Sequence, residues 1–253
     1  MRTEHYEALR DAINAEVPAA TARVVAGPGA GADMVLIHPG TLLGSLGDPE
    51  ADARARDRLA SLLRDGDPCI IELGDRRVFV EAHRPPPHLV IIGAVHIAIP
   101  LVTFGGTLGY RTTVIDARAQ FATDERFPHA DRLIEAWPDE ALRALSLHPG
   151  VAAVCLAHDP KFEDPAMEVL LRSDVGYIGA VGSRATSDER HDRLKAAGFS
   201  EEELARIHGP VGLNIGGRSP EEIALSIMAE IVAVRHGRDP KSLATVASAK
   251  SVS

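Results

Sequence analysis

Aromatic residues make up only 4% of this 253-residue chain, so its core must rest on Val, Ile, Leu and Ala. Cysteine is nearly as scarce: Cys69 and Cys155 stand alone, without CxxC spacing, which argues against a disulfide framework or a cysteine zinc module. Both lie in apolar β-like runs, PCIIEL and VAAVCLA, where a small buried hydrophobe is the plainer reading. Cys155 falls near the carboxyl end of a predicted central strand, which makes it the better candidate for sulfur or metal chemistry. Basic runs are missing, and the net charge is −9, so generic nucleic-acid binding is not expected. No apolar run reaches membrane-spanning length, and the opening MRTEHYEALRDAINAE reads as a polar amphipathic helix rather than a signal peptide. The expectation is a cytoplasmic protein without membrane contact.

What the chain does have is concentrated in residues 88–118, HLVIIGAVHIAIPLVTFGGTLGYRTTVIDAR. An apolar run (Leu89 to Ile92) meets a small-residue turn at Gly93-Ala94. An apolar helical pattern follows, then a second β run (Thr112 to Ile115) that ends in Asp116. This is the strand–turn–helix–strand order of a dinucleotide-binding unit, with an acid 23 positions after the first glycine, where a ribose-binding carboxylate belongs. Glycine lets backbone approach a pyrophosphate, while free N–H groups and the helix dipole supply positive potential. The fingerprint is imperfect. Val95 occupies the second glycine position, where a side chain crowds phosphates; Ala98 is an ordinary substitute at the third.

The chain divides at Arg84-Pro85-Pro86-Pro87, a stiff extended linker. Residues 1–83 read as a small α+β domain: a helix over 1–16, strands at Thr21–Val25 and Met34–His38, a loop at Gly44–Pro49, a helix over Ala51–Arg64 and a hairpin across Gly74-Asp75. Residues 84–88 are the linker, 89–239 a Rossmann-like doubly wound parallel sheet, and 240–253 a fraying tail. In the second domain Val151–Leu156 is a continuous apolar run suited to a parallel sheet, ending in His158-Asp159-Pro160. Tyr177–Val181 is another strand, closing in Gly182-Ser183-Arg184 before a polar helix over Asp188–Ala197. That turn offers N–H groups, a hydroxyl and a guanidinium to an anion. A helix capped by Ser219 follows Gly212-Leu213-Asn214-Ile215-Gly216-Gly217. Its stripe of Ile223, Ile227, Ile231 and Val234 suits core packing or a homodimer.

Together these phrases resemble one family. IIGAVHIAIPL, VIDARAQFATDERFPHAD, LAHDPKFEDPA, YIGAVGSR and GFSEEELARIHGPVGLNIGGRSPEEIALSIMAEIVAVRHG, with ATARVVAGPGAGADM and GSLGDPEAD upstream, are similar to the XdhC/CoxI accessory proteins of molybdenum hydroxylases such as xanthine dehydrogenase and carbon monoxide dehydrogenase. The resemblance runs from about Ala20 to Gly237. It implies a maturation factor that holds the molybdenum cofactor (molybdopterin or its nucleotide form). Such a factor assists exchange of an oxo ligand for sulfur by a cysteine desulfurase, and delivers the cofactor to an apo-subunit of the hydroxylase. Members commonly carry a small residue at the position of Val95, retain the histidine at His96, and have Asp at Asn214. Many have a GGC-E motif, where this chain has Gly44-Ser45-Leu46-Gly47-Asp48-Pro49-Glu50 and no thiol.

The candidate cofactor-binding residues are therefore Gly93, Ala94, Val95, His96, Asp116, Arg118, His158, Asp159, Gly182, Ser183, Arg184 and Asn214. Several have a plainer alternative. His96 either donates to a phosphate or satisfies a nearby carbonyl. His158 and Asp159 either orient a ligand or cap the turn before Pro160. Asp116 and Arg118 either meet a ribose and its phosphate or end a strand in solvent. No protein metal ligand is expected, because the pterin dithiolene already holds molybdenum. Three readings follow: a non-enzymatic cofactor chaperone, an NAD(P)-dependent oxidoreductase resting on Gly93 and Asp116 and opposed by Val95, and a scaffold or sensor that has lost its ligand.

Overall fold

The computed structural model describes residues 1–64, 66–157 and 159–238; the expected tail over 240–253 and His158 lie outside these. The chain separates into two units. One comprises Met1–Pro87 with Arg143–Val151 and Ser173–Gly176, and the other holds His88–Leu142, Ala152–Arg172 and the segment from Tyr177.

In the first unit, α1 (Thr3–Asn14) precedes β1 (Ala19–Ala26), β2 (Asp33–Ile37), β3 (Thr41–Gly44), α2 (Pro49–Arg64), β4 (Cys69–Leu73) and β5 (Arg76–His83). The sheet is antiparallel, in the order β3-β2-β1-β5-β4. Alternation in β5 turns Val78 and Val80 inward, and helical spacing in α2 puts Ala55, Leu59 and Leu62 against them in one cluster. The strand β3 has no sequence signature. It is an edge strand without a buried residue, so the period-2 pattern that reveals half-buried strands is missing.

The second unit contains β6 (His88–Ile92), α3 (Ala98–Thr107), β7 (Arg111–Ile115), β8 (Arg132–Ile134), α4 (Pro138–Arg143), β9 (Val151–Cys155), α5 (Pro160–Leu171), β10 (Tyr177–Ala180), α6 (Arg184–Ala196), α7 (Glu201–Leu204), β11 (Ile207–His208) and α8 (Pro220–Arg235). Its sheet is parallel, ordered β11-β10-β9-β6-β7-β8. The chain works outward from β6 in one direction and returns beyond it at β9. This places the reversal, where ligands of such sheets collect, between the carboxyl ends of β6 and β9. Leu156 N–H donates to Ile92 O across that junction at 2.8 Å.

Val151 to Cys155 are buried without exception, as a strand covered on both faces requires. Helix α8 lays Ala224, Ile227, Met228 and Ile231 into a cluster with Ala98, Leu101 and Val102 of α3 and Leu89 and Ile91 of β6, and Ile223 and Val234 pack against it. Ile227 and Ile231 of the isoleucine stripe are thus core, with Ile223 and Val234 half-buried at its margin. Helix α6 starts at Arg184, four residues before the expected Asp188. Ser183 is its N-cap, accepting from Thr186 N–H at 3.1 Å. The helix is polar almost all round, so no apolar periodicity marks its first turn. Among the described residues, no helix is long and apolar enough to cross a membrane.

Candidate functional site

The expected site residues come to one edge of the second unit because each follows the carboxyl end of a parallel strand. Gly93–His96 follow β6, Asp116 and Arg118 follow β7, Asp159 follows β9, Gly182–Arg184 follow β10, and Asn214 lies in the loop beyond β11. His158 lies outside the described residues.

Gly93 turns the chain at φ +104°, and its N–H donates to Ile115 O at 2.8 Å. A side chain here would be strained, and a Cβ would stand 3.1 Å from Ala157 N. Ala94 is buried, Val95 packs half-buried against the α3–α8 core, and His96 is exposed. The N–H groups of Val95, His96 and Ile97 head α3 without a hydrogen bond among the described residues, so the helix start presents donors to the edge.

Asp116 is nine-tenths buried or more, at 5% exposure, and its carboxylate is fully engaged. Oδ2 accepts from Ala94 N–H and Arg118 Nη2, both at 2.8 Å. Oδ1 accepts from Arg118 N–H at 3.0 Å and Arg118 Nε at 2.9 Å. Two oxygens offer about four acceptor sites, so no acceptor is left for a ribose hydroxyl while Arg118 stays folded back. The Arg118 guanidinium lies 4.3 Å over the Phe121 ring, which holds it there. Burial opposes charge on Asp116, but the Arg118 guanidinium and the two backbone donors outweigh it and hold the carboxyl below the usual carboxylate range.

A depressed carboxyl contributes stability above its unfolded value, and that contribution is lost as pH falls through its folded value. The stability gap between the wild type and Asp116→Asn is therefore expected to be constant from pH 7 to 5 and to shrink below about pH 4. Urea unfolding across that range checks it, and a gap that persists unchanged into acid would overturn the assignment.

Asp159 is exposed and caps α5, accepting from Lys161 N–H at 3.0 Å. Ser183 does the same for α6 while Arg184 stands exposed beside it. Asn214 is exposed in a loop pinned from below. Val211 N–H donates to Ala180 O at 3.0 Å, and Gly212 N–H donates to Glu230 Oε2 at 2.9 Å. Tyr177 also donates to Glu230, and His208 stacks on the Tyr177 ring at 4.6 Å. Burial and the neighbouring carboxylate push the Tyr177 hydroxyl up, keeping it a donor.

Two groups here escape a reading of the sequence. Trp137 stacks on Phe162 at 4.9 Å with Lys161 Nζ 5.1 Å from its ring; the partners are far apart in sequence and carry no motif. Glu163 and Asp164 on α5 bind Arg190 and Arg193 on α6; the arginines' i,i+3 spacing is the one available signal.

Cys155 is fully buried, and burial, reinforced by Glu163, pushes its thiol up to about 12. It is a protonated core residue. The folded protein is expected to release one thiol equivalent to an aromatic disulfide reagent, from the half-buried Cys69, and two after denaturation. A native Cys155→Ser protein losing the fast equivalent would contradict this. Among the described residues, no group of three or more His, Cys, Asp or Glu is placed to hold a metal ion.

This edge defines a Rossmann-type unit whose turns present backbone donors and an arginine, with its acid already satisfied. The XdhC Rossmann domain family matches residues 89–231, and the chain belongs to that family. It is 32% identical over 158 residues to a Bacillus subtilis (strain 168) protein named as a probable subunit of xanthine dehydrogenase, covering 62% of this chain and 46% of that one. It is 28% identical over 121 residues to the Escherichia coli (strain K12) molybdenum cofactor insertion chaperone PaoD, covering 48% of this chain and 37% of that one. The matched segments thus span less than half the length of these curated relatives. A crystal structure of a xanthine dehydrogenase from Bacillus halodurans superposes with a TM-score of 0.61 at 26% identity, over 92% of this chain and 67% of the other.

Proposed function

We propose that this chain is an accessory factor in the maturation of a molybdenum hydroxylase, holding molybdenum cofactor as cargo at the carboxyl edge of the parallel sheet. The observation that carries the reading is the state of Asp116. With its acceptors filled by Arg118 and Ala94, the edge offers hydrogen-bond donors rather than a ribose-binding acid. Donors suit the phosphate or pyrophosphate of a pterin cofactor, and the metal stays on the pterin's own dithiolene. The relative named a molybdenum cofactor insertion chaperone supports the same reading. Gly93, Ala94, Val95 and His96 form the turn over which the phosphate sits, Arg184 supplies its cation, and Ser183, Asp159 and Asn214 line the approach. The partners are a cysteine desulfurase and the apo form of the hydroxylase. With no thiol in the Gly44–Glu50 loop and Cys155 buried, sulfur reaches the molybdenum from the desulfurase rather than through a cysteine of that loop.

Protein purified anaerobically from a host that makes molybdenum cofactor is expected to release a fluorescent oxidised pterin and matching molybdenum on denaturation. Arg184→Ala removes one charge-assisted contact and should lower retention by roughly 10- to 100-fold. NAD(P) in place of pterin would mean that Arg118 swings away from Asp116, and the oxidoreductase reading would replace this one.

A further inference from the structure

The four hydrogen bonds that fill the Asp116 carboxylate are of two kinds. Two come from backbone N–H groups, Ala94 on Oδ2 at 2.8 Å and Arg118 on Oδ1 at 3.0 Å. The other two come from the Arg118 guanidinium, Nε on Oδ1 at 2.9 Å and Nη2 on Oδ2 at 2.8 Å. Each oxygen therefore has one fixed backbone donor and one donor that rotation of the Arg118 side chain can withdraw.

The withdrawable pair has the form of a ligand. A guanidinium fork sets two adjacent donors side by side, one on each carboxylate oxygen. The vicinal hydroxyls of a ribose offer the same two donors, which is why an acid at this point of a Rossmann unit holds nucleotides. Arg118 fills the place of that cis-diol. The place adjoins the Gly93–His96 turn, since Ala94 N–H is bonded to the same carboxylate, so a nucleotide phosphate would reach the head of α3.

The turn is built to keep the fork in place. The guanidinium lies 4.3 Å over the Phe121 ring, and Arg118 O accepts from Phe121 N–H at 2.9 Å. Phe121 is itself fixed: its carbonyl accepts from Arg126 Nη1 at 2.7 Å, and its side chain packs against the core of the unit. The Asp116 side chain is 4% exposed and that of Arg118 45%, so the arginine stands between the acid and solvent.

We infer that Arg118 is a specificity-determining residue of this edge, an internal substitute for a cis-diol that keeps ribonucleotides off Asp116. A ribonucleotide must displace the fork before its hydroxyls reach the acid, so its apparent affinity falls with the fraction of chains in which the fork is open. Breaking the charge-assisted bonds sets that factor at roughly 10- to 100-fold. The inference rests on the same closed Asp116 as the cofactor reading, but not on any cargo.

The experiment is calorimetric titration of the full chain with adenosine monophosphate and with its 2′-deoxy form, which share base and phosphate and differ in one hydroxyl. The wild type is expected to bind the two within about twofold, because the fork shuts out the diol. Arg118→Ala should prefer the ribonucleotide by roughly tenfold or more, the worth of a hydrogen bond to a charged group. The double variant Asp116→Asn/Arg118→Ala should return most of the way to the wild-type ratio, as the accepting charge is gone. Phe121→Leu keeps the fork and removes its stacking partner, and should raise the ratio by about two- to fivefold. Melting curves establish folding; if Arg118→Ala is not folded, Phe121→Leu and Arg118→Lys, which keeps the charge without the fork, decide. A wild type that prefers the ribonucleotide as strongly as Arg118→Ala would show that the fork is no barrier. A folded Arg118→Ala that binds neither nucleotide at millimolar concentration, or both equally, also overturns the inference. Pterin release failing in the cofactor experiment leaves this ratio untouched, and an unchanged ratio leaves pterin release untouched.

Discussion

Glu163→Ala is expected to lower the unfolding free energy by about 3–5 kcal/mol, the cost of leaving a buried charge without its partner. Glu163 is 1% exposed and Arg190 2%. The carboxylate takes Arg190 Nε at 2.8 Å and Arg193 Nη2 at 3.2 Å, so its removal strands one guanidinium inside the fold and loosens a second. Replacing both members by apolar residues removes the stranded charge as well as the attraction. The double variant Glu163→Leu/Arg190→Met should therefore lose far less than the sum of its single variants. Urea unfolding of the two singles and the double measures the coupling. Additive losses, or a Glu163→Ala loss under about 1 kcal/mol, the value of an exposed pair, would show that the pair is solvated and replaceable.

Gly93→Val is expected to cost about 3–5 kcal/mol, combining strain at a glycine-only backbone angle with overpacking. Two glycines separate these contributions. Gly93 and Gly31 have φ of +104° and +93°, but a Cβ at Gly93 meets Ala157 N at 3.1 Å, whereas at Gly31 it meets nothing within 4 Å. Gly31→Ala therefore reports the angle alone, at about 1 kcal/mol or slightly more, and Gly93→Ala should exceed it. Equal shifts in melting temperature for the two alanine variants would mean that the β6–β9 junction yields to the extra methyl group. The consequence reaches the site, because the same close approach sets the Gly93–His96 turn at the head of α3.

The parallel sheet is legible in the sequence because its strands are covered on both faces, and runs such as Leu89–Ile92 and Val151–Cys155 are apolar without interruption. Helix α8 is legible from Ser219 and Glu222, which form its capping box, and from Pro220 in its first turn. The edge strands β3, β8 and β11 are not, since short strands with one neighbour need no periodic burial. At the site, the turn residues are visible as glycines and polar residues after strands. Their partners are not: nothing in the order of residues says that Asp116 accepts from Ala94 and from both ends of Arg118.

Residue order alone is enough to place the chain in its family, to order the main strands and helices of the second unit, and to name the turns that meet at its carboxyl edge. These are properties of local pattern, written by burial periodicity and by caps within a few residues of each other. Which of those groups are still available is a matter of the packed fold. Packing closes the Asp116 carboxylate, seals Cys155 in the core, turns the α8 stripe inward and leaves Arg190 Nη1 without a partner. Each outcome depends on which atoms distant segments bring within about 3 Å, the reach of a hydrogen bond, and no spacing along the chain encodes that distance.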